Sequence, residues 1–283
     1  MTALAGQQPG PPRPVRTERD YVMCPPRYFA VEYAINPWMD PGAPVDAELA
    51  MHQWSVLRAT YERLGHRVRL VEPRPGLPDM VFVANAATAI DGRVLGARFR
   101  NAERAPEAEH FRDWLGANGH PGVRPPAAVN EAEGDLVWTG DVLLAGSGFR
   151  TDPRAHREAA AVLGVPVVSL ELVDERYYHL DTALFVLTRG PRARIAYYPP
   201  AFSAAAQDLL GRMFPDAVAA DAADAACLGL NAVSDGKHVV LPAEATGLAE
   251  ALAGLGYEPI PVDVSELRKA GGGPKCCTLE LHA

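Results

Sequence analysis

Features that would assign the chain to a membrane, secreted or nucleic-acid-binding class are absent from its sequence. No run approaches the ~18 consecutive apolar residues that cross a bilayer, and the first residues lack a basic start followed by an apolar core. The 283 residues carry a net charge of −8 and no basic block, which argues against a nucleic-acid partner. We therefore expect a soluble, cytoplasmic protein, monomeric or oligomeric, whose partner is a small molecule.

Cysteine is scarce, and the common cofactor motifs are missing. Cys24, Cys227, Cys276 and Cys277 are too few for a disulfide scaffold in a chain of this length. The sequence has no Gly-rich phosphate loop, no G-x-G-x-x-G after a strand, no G-x-S-x-G and no paired C-x-x-C. A zinc site built from Cys276, Cys277 and His179 would lack a fourth ligand at a suitable spacing. We therefore expect reduced cysteines and no cofactor.

The sequence is rich in turns instead, with 25 Gly and 26 Pro. Four turn pairs each lie between two apolar or β-branched runs, as a tight hairpin requires. They recur at intervals of 49, 49 and 46 residues and are Asp91-Gly92, Gly140-Asp141, Arg189-Gly190 and Asp235-Gly236. A period of ~20 to 50 residues is typical of a stacked or radial array, although chance spacing in an ordinary α/β sheet is the alternative.

Helical patterns lie between the hairpins, and most are followed by another strand. They are predicted at residues 45–64, 107–115, 153–163, 204–213 and 243–255. The repeating unit is hairpin, helix, strand, and a fifth hairpin pairing CCTLELH with YVMCPP would close a ring without a free edge. Residues 1–19, rich in Pro, Gly and Gln, are expected to be a disordered extension, and residues 20–283 a single domain.

Each predicted unit carries polar side chains that a radial array would bring to one central mouth. The entering strands carry Asn85, Glu131, Glu133, Asp135, His179, Asp181 and Asn231, and the closing strand carries Cys276. Cys276 follows the run GGGPK, whose glycines allow a ligand to approach closely and whose Lys275 could help to stabilise a thiolate. Alternatively, Cys276 and Cys277 are small core residues.

Two groups of these polar residues are expected to share strand faces. His179 and Asp181 lie at i and i+2 of an apolar strand, which would place a general base beside a carboxylate that holds a cation. Glu131, Glu133 and Asp135 would share a face in the same way, and either glutamate could orient His179.

The remaining candidates are an amide, a carboxylate and two arginines. LPDMVFVANA predicts a buried strand that carries Asp79 and Asn85; because buried polar groups need partners, Asn85 is either a structural amide or a ligand contact. Arg104 and Arg150 follow strands in loop-like contexts, where arginine can bind a carboxylate with two parallel hydrogen bonds.

The combination LPDMVFVAN, EAEGD, GFRTDP, HLDT and GGGPKCC resembles the guanidino-group-modifying enzymes, namely dimethylarginine dimethylaminohydrolases, arginine deiminases and amidinotransferases. The resemblance covers residues 21–283, and MCPPRYFAVEYAINPWMDPG with PDMVFVANA looks most like the arginine dihydrolase branch. It implies an α/β fold, a five-bladed propeller of pseudo-fivefold ββαβ units. It also implies a cofactor-free hydrolase of L-arginine or N-omega-methylated arginine that forms a covalent thiouronium.

The resemblance also implies roles for individual residues. Cys276 would be the nucleophile, His179 the general acid/base, and Glu131 its partner, although Ala132 replaces a motif glycine and Glu133 is extra. The implied substrate-binding residues are Asn36, Asp79, Asn85, Arg104, Arg150, Asp181 and Ala270. Among these, Asp181 would hold the guanidinium, Asp79 the α-amino group, and the two arginines the α-carboxylate.

The chief departure from the family pattern is Ala84-Asn85. Typical dimethylargininases have a Glu-Asp pair there, whereas the dihydrolase branch has Asn, as it also has Asn36. This predicts that arginine itself is a substrate, with citrulline or ornithine as product. An amidinotransferase and a non-catalytic arginine-binding protein are the alternatives.

Overall fold

A computed structural model describes residues 14–282 as a mixed α/β fold. Its helices are α1 Ala47–Arg63, α2 Glu107–Ala117, α3 Pro153–Leu163, α4 Leu180–Ala183, α5 Ala204–Met213, α6 Ala222–Ala226, α7 Thr246–Gly254 and α8 Ser265–Arg268. Its strands are β1 Asp20–Met23, β2 Arg67–Leu70, β3 Ala87–Ile90, β4 Arg93–Gly96, β5 Leu136–Trp138, β6 Leu143–Ser147, β7 Val167–Glu171, β8 Leu184–Thr188, β9 Arg194–Tyr197, β10 Val218–Ala219, β11 Val233–Ser234, β12 His238–Pro242, β13 Glu258–Val262 and β14 Leu279–His282.

The same pattern of strand pairing recurs along the chain. An antiparallel hairpin is followed by a third strand that lies parallel to the hairpin's second strand in β5-β6-β7, β8-β9-β10 and β11-β12-β13. The hairpin β3-β4 has only a single parallel bridge, between Leu95 and Arg124, in place of a third strand. The four hairpins predicted at the turn pairs are therefore confirmed.

The two ends of the described chain meet in one sheet. Strand β14 pairs antiparallel with β1, with Tyr21 opposite Glu280, and β1 pairs parallel with β2. Strand β14 also pairs parallel with β3, so the strand order in this sheet is β2-β1-β14-β3-β4. The predicted pairing of CCTLELH with YVMCPP is confirmed, and it fixes the segment that carries Cys276 next to the first strand.

The helices cover the sheets with their apolar faces. Helix α1 begins at the Asp46 cap, whose side chain accepts a hydrogen bond from the Leu49 N–H, and it buries Trp54, Leu57 and Tyr61. These side chains pack in the hydrophobic cluster that also contains Cys276. Burial of this face of α1 therefore helps to hold the segment that carries Cys276 in place.

The predicted strand LPDMVFVANA proves to be a different structure. PDMVFVAN forms two short 3-10 helices, Pro78–Val81 and Val83–Asn85, and strand β3 begins only at Ala87. This folding brings the segment against the candidate nucleophile, since the Ala84 N–H donates to the Cys276 carbonyl at 3.1 Å.

The polar residues before β5 and β8 likewise precede their strands. Ala132 has a positive φ of 50° and begins a 3-10 helix, so Glu131, Glu133 and Asp135 do not share a strand face. His179 is the N-cap residue of α4, which contains Asp181, so the predicted i, i+2 strand geometry is wrong for this pair as well.

The N-terminal extension is described only in part. Residues 1–13 lie outside the described residues, whereas residues 14–19 form no helix or strand. Within that segment the Thr17 N–H donates to the Asp235 carbonyl at 2.8 Å. None of the helices between residues 14 and 282 is long and apolar enough to cross a membrane.

Candidate active site

Cys276 lies at the centre of a group of polar side chains contributed by different parts of the chain. The residue is 2% exposed. Its Sγ is 3.5 Å from Asp181 Oδ2 and accepts a hydrogen bond from Asn231 Nδ2 at 3.1 Å. Burial and the nearby Asp181 carboxylate raise the pKa of the Cys276 thiol well above its usual value. A positive charge brought into this site by a substrate would therefore favour the thiolate.

The three glycines before Cys276 are required by close neighbours. A Cβ on Gly272 would lie 2.2 Å from the Phe82 ring, and one on Gly273 would lie 3.0 Å from Asn231 Oδ1. Gly271 has a positive φ of 84°, and its Cβ would lie 2.8 Å from Asn36 Oδ1. The run therefore lets the Cys276 segment fit against residues that border the site.

His179 is held by a buried ion cluster. Its Nε2 is 2.7 Å from Glu131 Oε2, which also accepts a hydrogen bond from Arg150 Nη1 at 3.0 Å. Burial alone would raise the pKa of Glu131, but the His179 hydrogen bond and the Arg150 charge outweigh burial and hold that pKa well below its usual range. The structure thus places Glu131, and not Glu133, on His179, in an arrangement that fixes the orientation of the imidazole.

Three atoms in this region are buried and lack a hydrogen-bond partner within residues 14–282. They are His179 Nδ1, Asp79 Oδ1 and Asp181 Oδ1. Burial raises the pKa of Asp79, and it raises that of Asp181 to about 6, with His179 and Lys275 opposing the shift on Asp181. Since unsatisfied buried polar atoms are rare, these acceptors and this ring nitrogen are suited to a cationic ligand and a proton transfer.

Asn85 is fixed on both sides of its amide. Its Oδ1 accepts from Arg104 Nη1 at 2.8 Å, and its Nδ2 donates to the Glu131 carbonyl at 3.0 Å. Arg104 is in turn bidentate to Glu107, with bonds of 3.0 and 2.8 Å. Burial raises the pKa of Glu107 to about 7, against the opposing charge of Arg104. Arg104 therefore positions Asn85 directly, and a substrate carboxylate would have to share this guanidinium with Glu107.

Most of the predicted site residues line a single narrow cavity. Its lining comprises Ile35, Asn36, Met39, Asp79, Phe82, Asn85, Arg104, Arg150, Tyr178, Ala270 and Cys276. It shares Ile35, Asn36, Arg150 and Tyr178 with a wider cavity of about 350 Å³, which offers a route for a ligand. A larger cavity of about 1020 Å³ at the hairpin turns contains none of the predicted site residues.

Three predicted residues lie outside the lining but contact it. Glu131 bonds to Arg150, His179 bonds to Glu131, and Asp181 lies against the Cys276 sulfur. Asn36 donates from its Nδ2 to the Ala270 carbonyl at 3.1 Å, which ties the loop before α1 to the Cys276 segment. The structure therefore brings all ten predicted positions into one contiguous site.

Sequence reasoning assigned no role to several residues of the site. Asn231 was one of the polar positions at the mouth of the array, which was a usable signal. Glu107 and Tyr178 lie in segments whose sequence gives no such signal; Tyr178 stacks under the Arg150 guanidinium at 4.7 Å and donates to the Gly271 carbonyl. Among residues 14–282, no group of three or more His, Cys, Asp or Glu side chains is arranged to hold a metal ion.

Comparisons with known proteins agree with the motifs. No protein-family model matches the chain. A dimethylarginine dimethylaminohydrolase of Mycobacterium tuberculosis is 56% identical over 274 residues, covering 96% of this chain and 89% of that protein. The bifunctional arginine dihydrolase/ornithine cyclodeaminase ArgZ of Synechocystis is 36% identical over 266 residues, covering 92% of this chain but only 37% of ArgZ.

A solved structure extends the likeness to three dimensions. The N-terminal domain of an ArgZ variant, covalently bonded to a reaction intermediate, has a TM-score of 0.88 and 34% identity, covering 93% of this chain and 98% of that domain. The chain belongs to the guanidino-group-modifying enzyme superfamily, together with the dimethylarginine dimethylaminohydrolases and the arginine dihydrolases, which are hydrolases of the guanidino C–N bond.

Proposed function

We propose that the protein hydrolyses the guanidino group of L-arginine or N-omega-methylated arginine through a covalent thiouronium on Cys276. The observation that carries this proposal is the position of the Cys276 sulfur, 3.5 Å from the Asp181 carboxylate in a buried polar site. A guanidinium bound to Asp181 would present its carbon to the sulfur, and its positive charge would favour the thiolate. The reaction needs no cofactor.

In the first half of the reaction, the Cys276 thiolate attacks the guanidinium carbon and forms a C–S bond. The C–N bond to the leaving amine then breaks as His179 gives that nitrogen a proton, which leaves the thiouronium. In the second half, His179 takes a proton from water, and the hydroxide adds to the same carbon. The C–S bond breaks, the ureido product leaves, and the thiolate is regenerated.

Glu131 supports both proton transfers. Since its carboxylate occupies His179 Nε2, the transfers fall to Nδ1, which has no partner among the described residues. The buried carboxylate fixes the ring and stabilises the imidazolium that carries the proton between the two halves.

At the end opposite its guanidino group, the substrate carries an α-amino group and an α-carboxylate, and charged side chains of the site are suited to both. Asp79 Oδ1 is unpaired within residues 14–282 and would accept the α-amino group, while Tyr33 holds the other carboxylate oxygen at 2.9 Å. Arg150 lines both the narrow cavity and the wider one and would bind the α-carboxylate. Arg104 also lines the narrow cavity and would share this task, although Glu107 already binds it.

Arginine itself is the substrate that Asn85 supports best. At this position the site offers a neutral amide locked between Arg104 and the Glu131 carbonyl, and not a carboxylate. With Asn36 nearby in the same cavity, bound citrulline would undergo a second round of attack, giving ornithine, ammonia and carbon dioxide. The relative from M. tuberculosis is named for dimethylarginine and ArgZ for arginine, so both substrates belong in the test.

We also propose that the repeated pairing forms a five-bladed α/β propeller within a single catalytic domain of residues 20–283. The support is the recurrence of an antiparallel pair plus a parallel strand in four places, the last of which is β14-β1-β2. The hairpin β3-β4, with its parallel bridge between Leu95 and Arg124, supplies the fifth unit. One polar side chain of the site lies in each segment that enters a hairpin, as a radial arrangement requires; these residues are Asn85, Glu131, His179, Asn231 and Cys276.

The substrate assay is direct. The protein is incubated separately with L-arginine and with asymmetric dimethylarginine, and the products are identified by mass spectrometry. Ornithine with ammonia indicates a dihydrolase, citrulline alone a deiminase, and dimethylamine a dimethylargininase. Turnover only after an amine acceptor is added would replace the hydrolase with a transferase.

The matched control is Cys276→Ser, which preserves the shape of the site but removes the thiolate. We expect turnover to fall at least about 10⁴-fold, as is typical when a nucleophile acting with its base is lost. Intact mass after incubation with a halo-amidine should show one adduct in the wild type and none in C276S. Turnover of C276S above a trace would disprove the covalent mechanism.

A further inference from the structure

Asn231 makes a complete set of hydrogen bonds around the candidate nucleophile. The side chain is fully buried. Its Nδ2 donates to Cys276 Sγ and to the Asp181 carbonyl, both at 3.1 Å. Its Oδ1 accepts from the N–H groups of Gly273 and Cys276, both at 3.0 Å. One amide thus binds both the backbone and the sulfur of the residue that reacts.

We propose that Asn231 is a catalytic residue, whose Nδ2 hydrogen bond to Sγ stabilises the Cys276 thiolate in both halves of the reaction. This inference rests on the proposed function of Cys276. The amide also fixes the position of the sulfur, because its oxygen holds the Cys276 and Gly273 N–H groups.

The surroundings of the sulfur make such a donor necessary. The titratable and charged groups that face or approach Cys276 are Asp79, Arg104, Arg150, Tyr178, His179, Asp181, Lys275 and Cys277. Of these, Asp181 lies in contact with the sulfur and opposes a second negative charge. The cations that could compensate are already paired, Arg104 with Glu107, Arg150 with Glu131 and Lys275 with Glu133.

Within residues 14–282, Asn231 is the side chain that donates a hydrogen bond to this sulfur. A hydrogen bond to a charged acceptor in a buried site is stronger than one to a neutral group. The Nδ2 bond therefore favours the thiolate over the thiol, and its benefit is greatest when Asp181 is neutralised by a bound cation.

The contacts also require an amide at this position. Aspartate would retain an oxygen for the two backbone N–H groups but would place a carboxylate oxygen against the sulfur. Leucine would lose both functions at similar volume. Asn231→Asp keeps the anchoring of the backbone but loses the donor to sulfur. Asn231→Leu loses both. Comparing the two variants therefore separates the two functions.

The test measures the thiol without using arginine turnover, so its failure is distinguishable from failure of the proposed function. The rate of iodoacetamide alkylation of Cys276 is followed from pH 6 to pH 10, with the modified residue identified by peptide mass and by its absence in C276S. We expect the rate at pH 10 to be about 10- to 100-fold lower in N231L than in the wild type, which corresponds to a rise of about one to two units in the pKa of the thiol, and at least as low in N231D, whose new carboxyl group is ionised at that pH. A wild-type rate in folded N231D would overturn the proposal and leave Asn231 as a backbone anchor.

A second measurement requires no Asn231 variant. In wild-type protein labelled with ¹⁵N-asparagine, one side-chain amide resonance should shift over the same pH range in which alkylation of Cys276 accelerates, and this shift should be absent in C276S. If no asparagine side chain follows the titration of the thiol, the proposal fails even where both Asn231 variants are unfolded.

Discussion

Two buried ion clusters lie side by side in this protein and have almost the same composition. In the first, Glu131 contacts His179 Nε2 at 2.7 Å and Arg150 Nη1 at 3.0 Å. In the second, Glu133 contacts His282 Nε2 at 3.0 Å and Lys275 Nζ at 2.6 Å. Each cluster is a glutamate, a histidine and a cation, and the two glutamates are separated by Ala132 alone.

The clusters differ in what surrounds the second nitrogen of each histidine. Neither Nδ1 has a hydrogen-bond partner among the described residues. His282 Nδ1 nevertheless lies 3.3 Å from Glu280 Oε1, so this imidazole stands between the carboxylates of Glu280 and Glu133. No acidic side chain lies within ion-pair distance of His179 Nδ1 among the described residues, and its cluster adjoins the cavity of Cys276 through Arg150. On the proposed function, the same set of side chains would join strands in one place and transfer protons in the other, according to whether the second nitrogen faces a carboxylate.

The largest effect should follow from Glu131→Gln. The amide keeps an acceptor for Arg150 but no longer stabilises a protonated His179, so we expect kcat to fall by about 10²- to 10⁴-fold. Steady-state kinetics with the preferred substrate would measure this loss. The comparison breaks down if E131Q retains kcat within about threefold, because the Glu131 cluster would then be as structural as its neighbour.

Glu133→Gln is the matched variant in the second cluster. It leaves Lys275 and His282 without their buried carboxylate, and it weakens the bond that the Glu280 N–H donates to Glu133 Oε2. We expect a loss of about 3 kcal/mol in the free energy of unfolding, measured by urea titration, with kcat close to wild type at temperatures where the protein is folded. A loss of kcat as large as that of E131Q, without loss of stability, would contradict this assignment.

The choice between Glu131 and Glu133 shows what the sequence could and could not predict. Alternation in NEAEGD indicated three carboxylates on one face, and on that basis either glutamate could orient His179. The positive φ of Ala132 turns the chain between them, so Glu131 and Glu133 point to different partners. Asp135 has a third set of partners, since its carboxylate accepts hydrogen bonds from the Thr151 and Leu180 N–H groups. A single backbone angle of this kind depends on tertiary contacts that periodicity does not reveal.

Turn signals were more informative because their cause is local. Asp91-Gly92 and Asp235-Gly236 specify tight hairpins through the positive φ that glycine tolerates, and both are present. The segment that carries Asp79 and Asn85 was predicted as a strand from its apolar run alone. In the 3-10 helices that it forms, those two polar side chains accept hydrogen bonds from Tyr33 and Arg104, contacts that the local sequence does not reveal.

The smallest predicted effect tests whether the Glu133 cluster influences catalysis. Asp181 lies within the electrostatic influence of both clusters, since His179 of the first and Lys275 of the second lower its pKa, against the larger effect of burial, which raises it to about 6. Below that pH the carboxyl group is protonated and cannot hold a guanidinium, so kcat/KM should fall about tenfold per pH unit on the acid side.

Lys275→Met removes the cation of the second cluster. Since a positive charge favours the ionised form of Asp181, its loss should raise the pKa and move the acid limb of kcat/KM upward by less than about one unit. Lys275→Arg keeps the charge and should leave the limb near its wild-type position. Arginine hydrolysis measured between pH 5 and pH 8 would detect the shift. An acid limb that does not move in K275M would mean that the Glu133 cluster acts on stability alone, which would make the separation between the two clusters complete.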